Sequence, residues 1–170
     1  MPELIEPSTE LHAAWLEAHD GWGPGAHEDG FGLRPSDAVR SDEGFRAWVE
    51  RLSAESGRAE AAELRCVYRW IVENGRVLGG IALRHGDLEL IRRAGNVGYG
   101  IRPSARRQGL ARWALGQILK EARHLGMQRV LVVCETDNVA SARLIERQGG
   151  VLERVGPTEH GPARRYWIDL

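Results

Sequence analysis

The feature that most constrains this chain is the run Val130–Cys134, which contains only apolar residues. A continuous apolar run of strand length is typical of a central strand that is covered on both faces of its sheet. Residues 109–125 before it place apolar side chains at helical spacing, and residues 139–148 after it form a second helical pattern that Asp137 or Asn138 can cap. This order predicts an α/β fold, a mixed sheet with helices on both faces.

The middle of the chain is rich in strand patterns. Asn74-Gly75 separates the apolar runs 66–72 and 77–83, which is a strong hairpin signal. The segment 21–35 is dense in glycine and proline and is predicted to be a loop. Further strands are predicted at 3–5, 97–101, 151–155 and 165–170, and further helices at 8–19 and 45–52.

Length and composition limit the functions that this chain can have. A chain of 170 residues favours one domain, predicted over 1–170, and a formal net charge of -1 argues against nucleic-acid or membrane-surface binding. Cys66 and Cys134 both fall in strand patterns, so we expect reduced thiols and neither a disulfide framework nor a metal site. The N-terminus lacks a signal-peptide pattern, and no apolar stretch approaches the roughly 18 residues of a membrane span. These features predict a cytoplasmic protein.

A candidate anion site lies where the strand 97–101 leads into the helix from 109. The first turn of a helix presents backbone N–H groups without intrahelical partners, and the helix dipole favours an anion there. Gly109 lets an oxyanion approach the backbone, while Arg106, Arg107 and Arg112 supply cations. Arg102 is a further candidate cation. The alternative is an ordinary helix start with solvated arginines; the phosphate-loop and dinucleotide-binding fingerprints are absent from the sequence.

Arg106-x-x-Gly109-x-Ala111 resembles the Q/R-x-x-G-x-G/A signature of the GNAT superfamily of acyl-CoA N-acyltransferases. The context strengthens the resemblance: a strand ending Ile101-Arg102-Pro103 precedes the signature, and a buried strand, Asn138 and a short helix follow it. Within the superfamily, the chain is similar to a bacterial subgroup of predicted acetyltransferases. The resemblance implies a mostly antiparallel sheet with a V-shaped split between two strands. It also implies a core with the cofactor site over 64–170 and a variable acceptor-side part over 1–63.

The resemblance further implies acetyl-CoA as the cofactor. The strand 97–101 would carry a bulge that parts it from Val130–Cys134, and pantetheine would pair with the freed backbone. A backbone N–H near Gly100 or Ile101 would hold the developing oxyanion. Asn138 would contact the pantetheine arm, although it can equally be a helix N-cap, and the two roles can coexist. The predicted cofactor-binding residues are Tyr99, Gly100, Ile101, Arg106, Arg107, Gln108, Gly109, Leu110, Ala111, Arg112, Asn138 and Ser141.

Acetyl transfer to an amine needs proton transfers. A lysine-like ammonium, with a pKa of about 10.4, must lose a proton to a base before it attacks, and the leaving sulfur takes one from an acid. Many family members place a tyrosine acid seven residues after the asparagine, where this chain has Ile145. The candidate catalytic residues are Glu135 and His85 as bases and Tyr166 as acid, with Tyr99 as an alternative acid. His85 can instead be a hydrogen-bonded structural residue, and either tyrosine a packed strand aromatic.

The long loop 21–31 is predicted to build the acceptor site, because long loops in compact domains are often functional. Trp22 and Phe31 are candidate walls, and Glu28 with Asp29 can attract a cationic amine; the alternative is a solvated acidic loop with two anchoring aromatics. The predicted acceptor is a primary amine of a small molecule or peptide. The competing hypothesis is a non-catalytic module that senses acyl-CoA. The sequence leaves the oligomeric state open and allows a homodimer through exposed sheet edges.

Overall fold

The computed structural model describes residues 1–23, 28–57, 65–86 and 88–170. The predicted boundary at residue 63 and the middle of the predicted loop 21–35 lie outside the described residues. The strands are β1 (Glu3–Ile5), β2 (Arg65–Glu73), β3 (Arg76–His85), β4 (Val97–Ile101), β5 (Arg129–Glu135), β6 (Val151–Thr158) and β7 (Gly161–Asp169). The helices are α1 (His12–Trp22), α2 (Asp42–Ser56), α3 (Leu88–Ala94), α4 (Leu110–His124) and α5 (Val139–Arg147).

All seven strands form one sheet in the order β1-β2-β3-β4-β5-β7-β6. Every neighbouring pair is antiparallel except β4 and β5, which are parallel. The predicted mixed, mostly antiparallel sheet with helices on both faces is confirmed. The predicted hairpin is also confirmed: Asn74 and Gly75 have φ of 51° and 74°, the left-handed pair that a tight β2–β3 turn requires.

Two elements differ from the sequence prediction. α1 continues to Trp22, so the loop begins two residues later than its glycine suggests, because Trp22 is buried in the core and keeps the last turn packed. The short helix α3 was not predicted, since seven residues, three of them charged, carry little helical periodicity.

Each face of the sheet has its own core. On one face, α4 and α5 pack through Leu115, Ile118 and Ile145 against apolar side chains of the sheet; we call this the α4 face. On the other, the α1 face, α1 and α2 cover an aromatic cluster. That cluster contains Trp15, Trp22, Phe31, Phe45, Trp48 and Trp70. Full burial of such side chains contributes about 1.5–3 kcal/mol each, so both layers stabilise the sheet that carries the site.

The predicted V-shaped split is present between β4 and β5. These strands pair at a single position, Val97 opposite Val132, and then separate. The prediction of a bulge in β4 is wrong. The ladder between β4 and β3 runs in continuous register from the pair Gly79 and Ile101 to the pair Leu83 and Val97. β4 therefore leaves β5 by divergence after one pair and keeps its other edge fully bonded to β3.

Asn96 closes the narrow end of the split. Its side chain is 5% exposed, and its Oδ1 accepts a hydrogen bond from the Leu131 N–H at 2.6 Å. Its own N–H donates to the Leu131 carbonyl at 2.7 Å, and its Nδ2 donates to the Arg84 carbonyl at 3.0 Å. Asn96 thus ties β3, β4 and β5 together just before the gap opens.

Candidate active site

The gap between β4 and β5 opens into a cavity of about 1620 Å³. Ordinary ligand pockets have volumes of about 300–1,000 Å³, so this cavity is large for a ligand site. The residues that connect β4 to α4 and the start of α5 line one part of it. Trp22, Asp29, α3 and the β6–β7 turn line another part.

The turn before α4 is shaped to hold an anion. Arg107 and Gly109 have left-handed φ values of 63° and 79°, and such turns direct successive backbone N–H groups into a concavity. A Cβ on Gly109 would have nothing within 4 Å, so the space above it is open. No side chain caps the first turn of α4, and that turn contains no acidic residue. Its amides therefore remain available to a ligand.

The arginines around this turn have different orientations. Arg106, Arg107 and Arg112 line the cavity, and Arg106 Nε donates to the Ile101 carbonyl at 3.0 Å; their contact with a cofactor stays a prediction. The prediction of Arg102 as a further cation of the anion site is wrong. Arg102 is buried and its Nη2 lies 3.0 Å from Glu17 Oε1 on α1, so it braces α1 and is not a cation of the anion site. Gln108 is exposed and lies outside the cavity lining.

Tyr99 and the α5 cap meet on the α4 face. Asn138 Oδ1 accepts the Ser141 N–H at 3.1 Å, which confirms the N-cap; its contact with a cofactor stays a prediction. The Tyr99 hydroxyl donates to Ser141 Oγ at 2.9 Å, and all three residues line the cavity. Burial raises the pKa of Tyr99 to about 12, so its hydroxyl keeps its proton at neutral pH.

Cys134 lies on the same face at the end of β5. It is half-buried, lines the cavity and carries a free thiol. Burial raises the pKa of this thiol, so the thiolate is a minor species at neutral pH. Cys134 is therefore placed beside the ligand space without the features of an activated nucleophile.

Glu135 lies on the opposite, α1 face. Successive strand residues point to opposite sides, so Glu135 and Val133 face away from Cys134. Gly98 and Gly100 of β4 face the same way. A Cβ on Gly100 would lie 2.7 Å from the Asp29 carbonyl oxygen and 3.0 Å from Trp22 Cζ2, so the loop before Phe31 covers this part of β4. Glu135 is exposed and lines the cavity, so its carboxylate lies on one face of the cleft and the Tyr99 hydroxyl lies on the other.

The other two predicted catalytic residues are placed elsewhere. His85 pairs with Arg65 at the end of β3 and does not line the cavity; burial, then the charge of Arg65, lowers its pKa. Tyr166 is 1% exposed and donates its hydroxyl to Glu146 Oε1 at 2.9 Å. Its pKa is raised to about 12, chiefly by burial. The alternative interpretation of Tyr166 as a packed strand aromatic therefore fits the structure, and the assignment as acid does not.

Only some of the predicted acceptor residues line the cavity. Trp22 lines the cavity beside Asp29. Phe31 is 1% exposed, with its ring centroid 5.8 Å from that of Trp22, and belongs to the aromatic core. Glu28 is held by His19, whose Nδ1 lies 2.6 Å from Glu28 Oε1, and burial raises the Glu28 pKa. The end of α1 reaches the cavity through Trp22 and the loop reaches it through Asp29, while Phe31 in the core and Glu28 beside His19 hold the loop in place.

Neither a metal site nor a membrane-spanning helix is found in the described parts of the chain. Within these ranges, no group of three or more His, Cys, Asp and Glu side chains is arranged to hold a metal ion. The described helices also include none that is long and apolar enough to cross a membrane.

Comparison with known proteins points to one family. A family model described as an acetyltransferase (GNAT) domain matches residues 31–151. A search among curated proteins found no significant match.

Several solved structures share the fold. An acetyltransferase from Salmonella typhimurium, which modifies the N-terminal serine of ribosomal protein L7/L12, is 17% identical, with a TM-score of 0.71 over 99% of this chain and 95% of that chain. RimL in complex with coenzyme A is 18% identical, with a TM-score of 0.76 over 99% and 94%. The acetyltransferase yncA of Salmonella typhimurium with acetyl-CoA is 19% identical, with a TM-score of 0.64 over 100% and 94%.

Proposed function

This chain belongs to the GNAT acetyltransferase family, and we propose that it transfers an acetyl group from acetyl-CoA directly to a primary amine of a small molecule or peptide. The family predicted from Arg106, Gly109 and Ala111 is confirmed by the match over residues 31–151. The observation that carries the proposal is the uncapped start of α4, which opens into the same cavity as the split between β4 and β5.

In this proposal, the turn 106–109 and the first turn of α4 bind the pyrophosphate of acetyl-CoA. Backbone N–H groups and three arginines supply the donors, as at other helix N-termini that bind phosphates. The solved relatives with coenzyme A or acetyl-CoA support this choice of donor substrate. The part of the chain before β2 forms the acceptor side through Trp22 and Asp29.

The edge of β4 supports binding of the thioester arm. Arg102 N–H donates to Leu78 of β3, so backbone alternation directs the N–H groups of Tyr99 and Ile101 the other way, into the split. Beyond Val97 these groups have no partner strand. The N–H groups of Tyr99 and Ile101 are thus the donors we expect to pair with the pantetheine arm and to stabilise the oxyanion of the thioester carbonyl.

We assign the proton transfers to the two groups on opposite faces of the cleft. Glu135 accepts a proton from the acceptor ammonium, directly or through water, on the α1 face. The amine nitrogen then bonds to the acetyl carbon and the carbon–sulfur bond breaks. Tyr99, protonated at neutral pH, donates its proton to the sulfur from the α4 face. The nitrogen loses its second proton to solvent as the amide forms, and solvent reprotonates Tyr99.

Gly109→Glu tests the cofactor site, with Gly126→Glu as the matched control. Both glycines bound α4, have φ of 79° and 80°, and have nothing within 4 Å of an added Cβ, so the backbone strain is similar. Only at 109 does the new carboxylate enter the anion site. Calorimetric titration with acetyl-CoA should show binding to the wild type and the Gly126 variant, and none to a folded Gly109 variant. Equal binding by both variants would place the pyrophosphate elsewhere.

A non-catalytic acyl-CoA sensor is the second candidate. It is favoured by Ile145, which is fully buried in the core at the position where the family resemblance places a tyrosine acid. Release of free coenzyme A in the presence of an amine panel separates the two functions. Steady, acceptor-dependent release establishes an enzyme, whereas tight binding without release establishes a sensor.

We further propose a cytoplasmic protein that can form a homodimer. Both cysteines are free, as is usual in reducing compartments. β6 is the outermost strand of the sheet and exposes Val151 and Val155. Light scattering over a range of protein concentrations measures the mass directly; a Val155→Lys variant should be monomeric if this edge forms the interface.

A further inference from the structure

We propose that the acceptor amine also carries an oxyanion, a carboxylate or a phosphate, and that Arg84 binds it with help from Arg92 and Arg154. The inference rests on the proposed acetyl transfer and narrows its substrate class. It concerns the part of the cavity on the α1 face, away from the turn 106–109.

This part of the cavity is a trough with two walls. One wall is Trp22 and Asp29, which lie over Gly100 of β4. The other is α3 with the β6–β7 turn, joined by an ion pair between Arg93 and Glu159 at 2.5 Å. α3 is held over β5 and β7, because a Cβ on Gly95 would lie 3.3 Å from Val133 and the Arg92 carbonyl accepts from Arg165.

Arg84 projects into this trough. In the β3–β4 register Ala82 lies opposite Gly98. Arg84 is two residues after Ala82 on the same strand, so its side chain lies on the same face as Gly98. Its Nη2 lies 3.3 Å from the position that a Cβ on Gly98 would take, so the missing side chain of Gly98 makes room for the guanidinium. Arg84 is half-buried and lines the cavity.

Within the described ranges, no carboxylate lies within salt-bridge distance of Arg84. Toward the described residues its guanidinium makes one long hydrogen bond, from Nη1 to the Gly95 carbonyl at 3.4 Å. A half-buried cation with so few partners is costly to maintain, and an anionic ligand would complete its hydrogen bonds. The planar guanidinium matches carboxylate and phosphate oxygens in a two-point geometry.

The surrounding charges favour the same ligand. Arg93 and Arg165 on the wall are neutralised by Glu159 and Glu153. Arg92 and Arg154 also line the cavity, and neither has an ion-pair partner among the described residues. The trough thus has a surplus of positive charge near α3 and carboxylates at Asp29 and Glu135 near the split. An acceptor with an ammonium at one end and an oxyanion at the other matches both ends.

The test compares acceptors that differ only in the anion. Amino acids are assayed beside their carboxamides, and aminoalkyl phosphates beside the corresponding amino alcohols, with saturating acetyl-CoA. The wild type should prefer the anionic member of a pair by about tenfold to a hundredfold in kcat/KM, as expected for a hydrogen-bonded charge. The pair with the larger preference identifies carboxylate or phosphate.

Arg84→Met should remove most of this preference through a higher KM for the anionic acceptors, and should leave the neutral acceptors within about twofold. Arg84→Lys keeps the charge without the two-point geometry and should retain part of the preference. Arg46→Met, an exposed change on α2, is the control and should behave as the wild type. Unchanged acetyl-CoA affinity in all three variants confirms that the cofactor site is intact.

Neutral acceptors used as well as anionic ones by the wild type, or a preference that survives in Arg84→Met, would overturn the inference. If no amine is acetylated, the proposed acetyl transfer fails instead. Calorimetric binding of the same amino acids and aminoalkyl phosphates to the protein with coenzyme A then decides the anion question alone. Binding that is equally strong in the wild type and Arg84→Met contradicts it.

Discussion

Tyr99 and Tyr166 show how position alone separates two chemically similar residues. Burial raises the pKa of each to about 12, and each hydroxyl donates one hydrogen bond to a neighbouring side chain on α5. Tyr99 lines the cavity and Tyr166 does not. From the sequence both tyrosines are candidate acids, because nothing in a strand pattern shows which edge of a strand will separate from its neighbour.

Tyr99→Phe should therefore lower kcat by about a hundredfold, the lower end of the usual contribution of a general acid. Tyr166→Phe is the matched control; it should leave kcat unchanged and cost about 1 kcal/mol of stability for its lost hydrogen bond. Because a tyrosine with a raised pKa stays protonated as the pH rises, the wild-type rate should show no loss from Tyr99 ionisation through the neutral and mildly alkaline range. Steady-state kinetics and denaturant unfolding of both variants check these outcomes, and equal kcat losses would remove Tyr99 as the acid.

Cys134 offers a direct probe of where the thiol end of coenzyme A lies. Treatment with oxidised coenzyme A should give a mixed disulfide, as the Cys134 thiolate attacks the disulfide and releases one coenzyme A thiol. Its rate should rise with pH, because burial raises the pKa of Cys134. Intact mass spectrometry should find the adduct in wild type and Cys66→Ser and not in Cys134→Ser. An adduct confined to Cys66 would contradict the proposed path of the thioester arm.

Among the elements, β4 and β5 are held together at the narrow end of the split by the hydrogen bonds of Asn96. Asn96 is not among the residues predicted from the sequence, since an asparagine after glycine is typical of an ordinary turn. Its two side-chain hydrogen bonds and its two backbone hydrogen bonds, to Arg84 and Leu131, become visible only when β3 and β5 are placed on either side of it.

Asn96→Ala should destabilise the fold by about 2–4 kcal/mol, because it leaves the buried Leu131 N–H and the Arg84 carbonyl without these partners. Asn138→Ala, which removes only an exposed helix cap, should cost about 1 kcal/mol. Urea unfolding measures both free energies. A cost for Asn96→Ala no larger than that for Asn138→Ala would mean that the split is not held by this side chain.

At the scale of the whole molecule, Arg102 fastens α1 to the sheet beside the cavity. Its Nη2 contacts Glu17 of α1, its Nη1 donates to the Val77 carbonyl at 3.4 Å, and its Nε is buried without a partner among the described residues. Glu17 also accepts a hydrogen bond from Arg76. One exposed carboxylate on α1 thus compensates a buried cation of the sheet.

Glu17→Ala should consequently lower the unfolding midpoint more than Arg102→Met does, because the first change leaves a buried charge uncompensated and the second removes it. Arg76→Ala, which breaks only an exposed pair, is the control and should have the smallest effect. Hydrogen bonds from Arg76 and then Arg102 lower the pKa of Glu17 below its ordinary value. The stabilisation is therefore present above that ordinary value and is lost as the pH falls through the lowered pKa. Thermal unfolding at neutral and acidic pH compares the variants. If Arg102→Met is the most destabilising of the three changes, this account is wrong.

The sequence by itself determined most of the local elements, the α/β class and the position of the turn before α4. Apolar periodicity, Asn74-Gly75 and the start of α4 act over a few residues, so their physics can be read along the chain. Only the tertiary structure decided which of the candidate residues share a cavity, because strand register sets the face on which a side chain points. Register brought Glu135, Tyr99 and Arg84 to the split, turned Arg102 toward Glu17, and buried Tyr166 and Phe31 in the two cores.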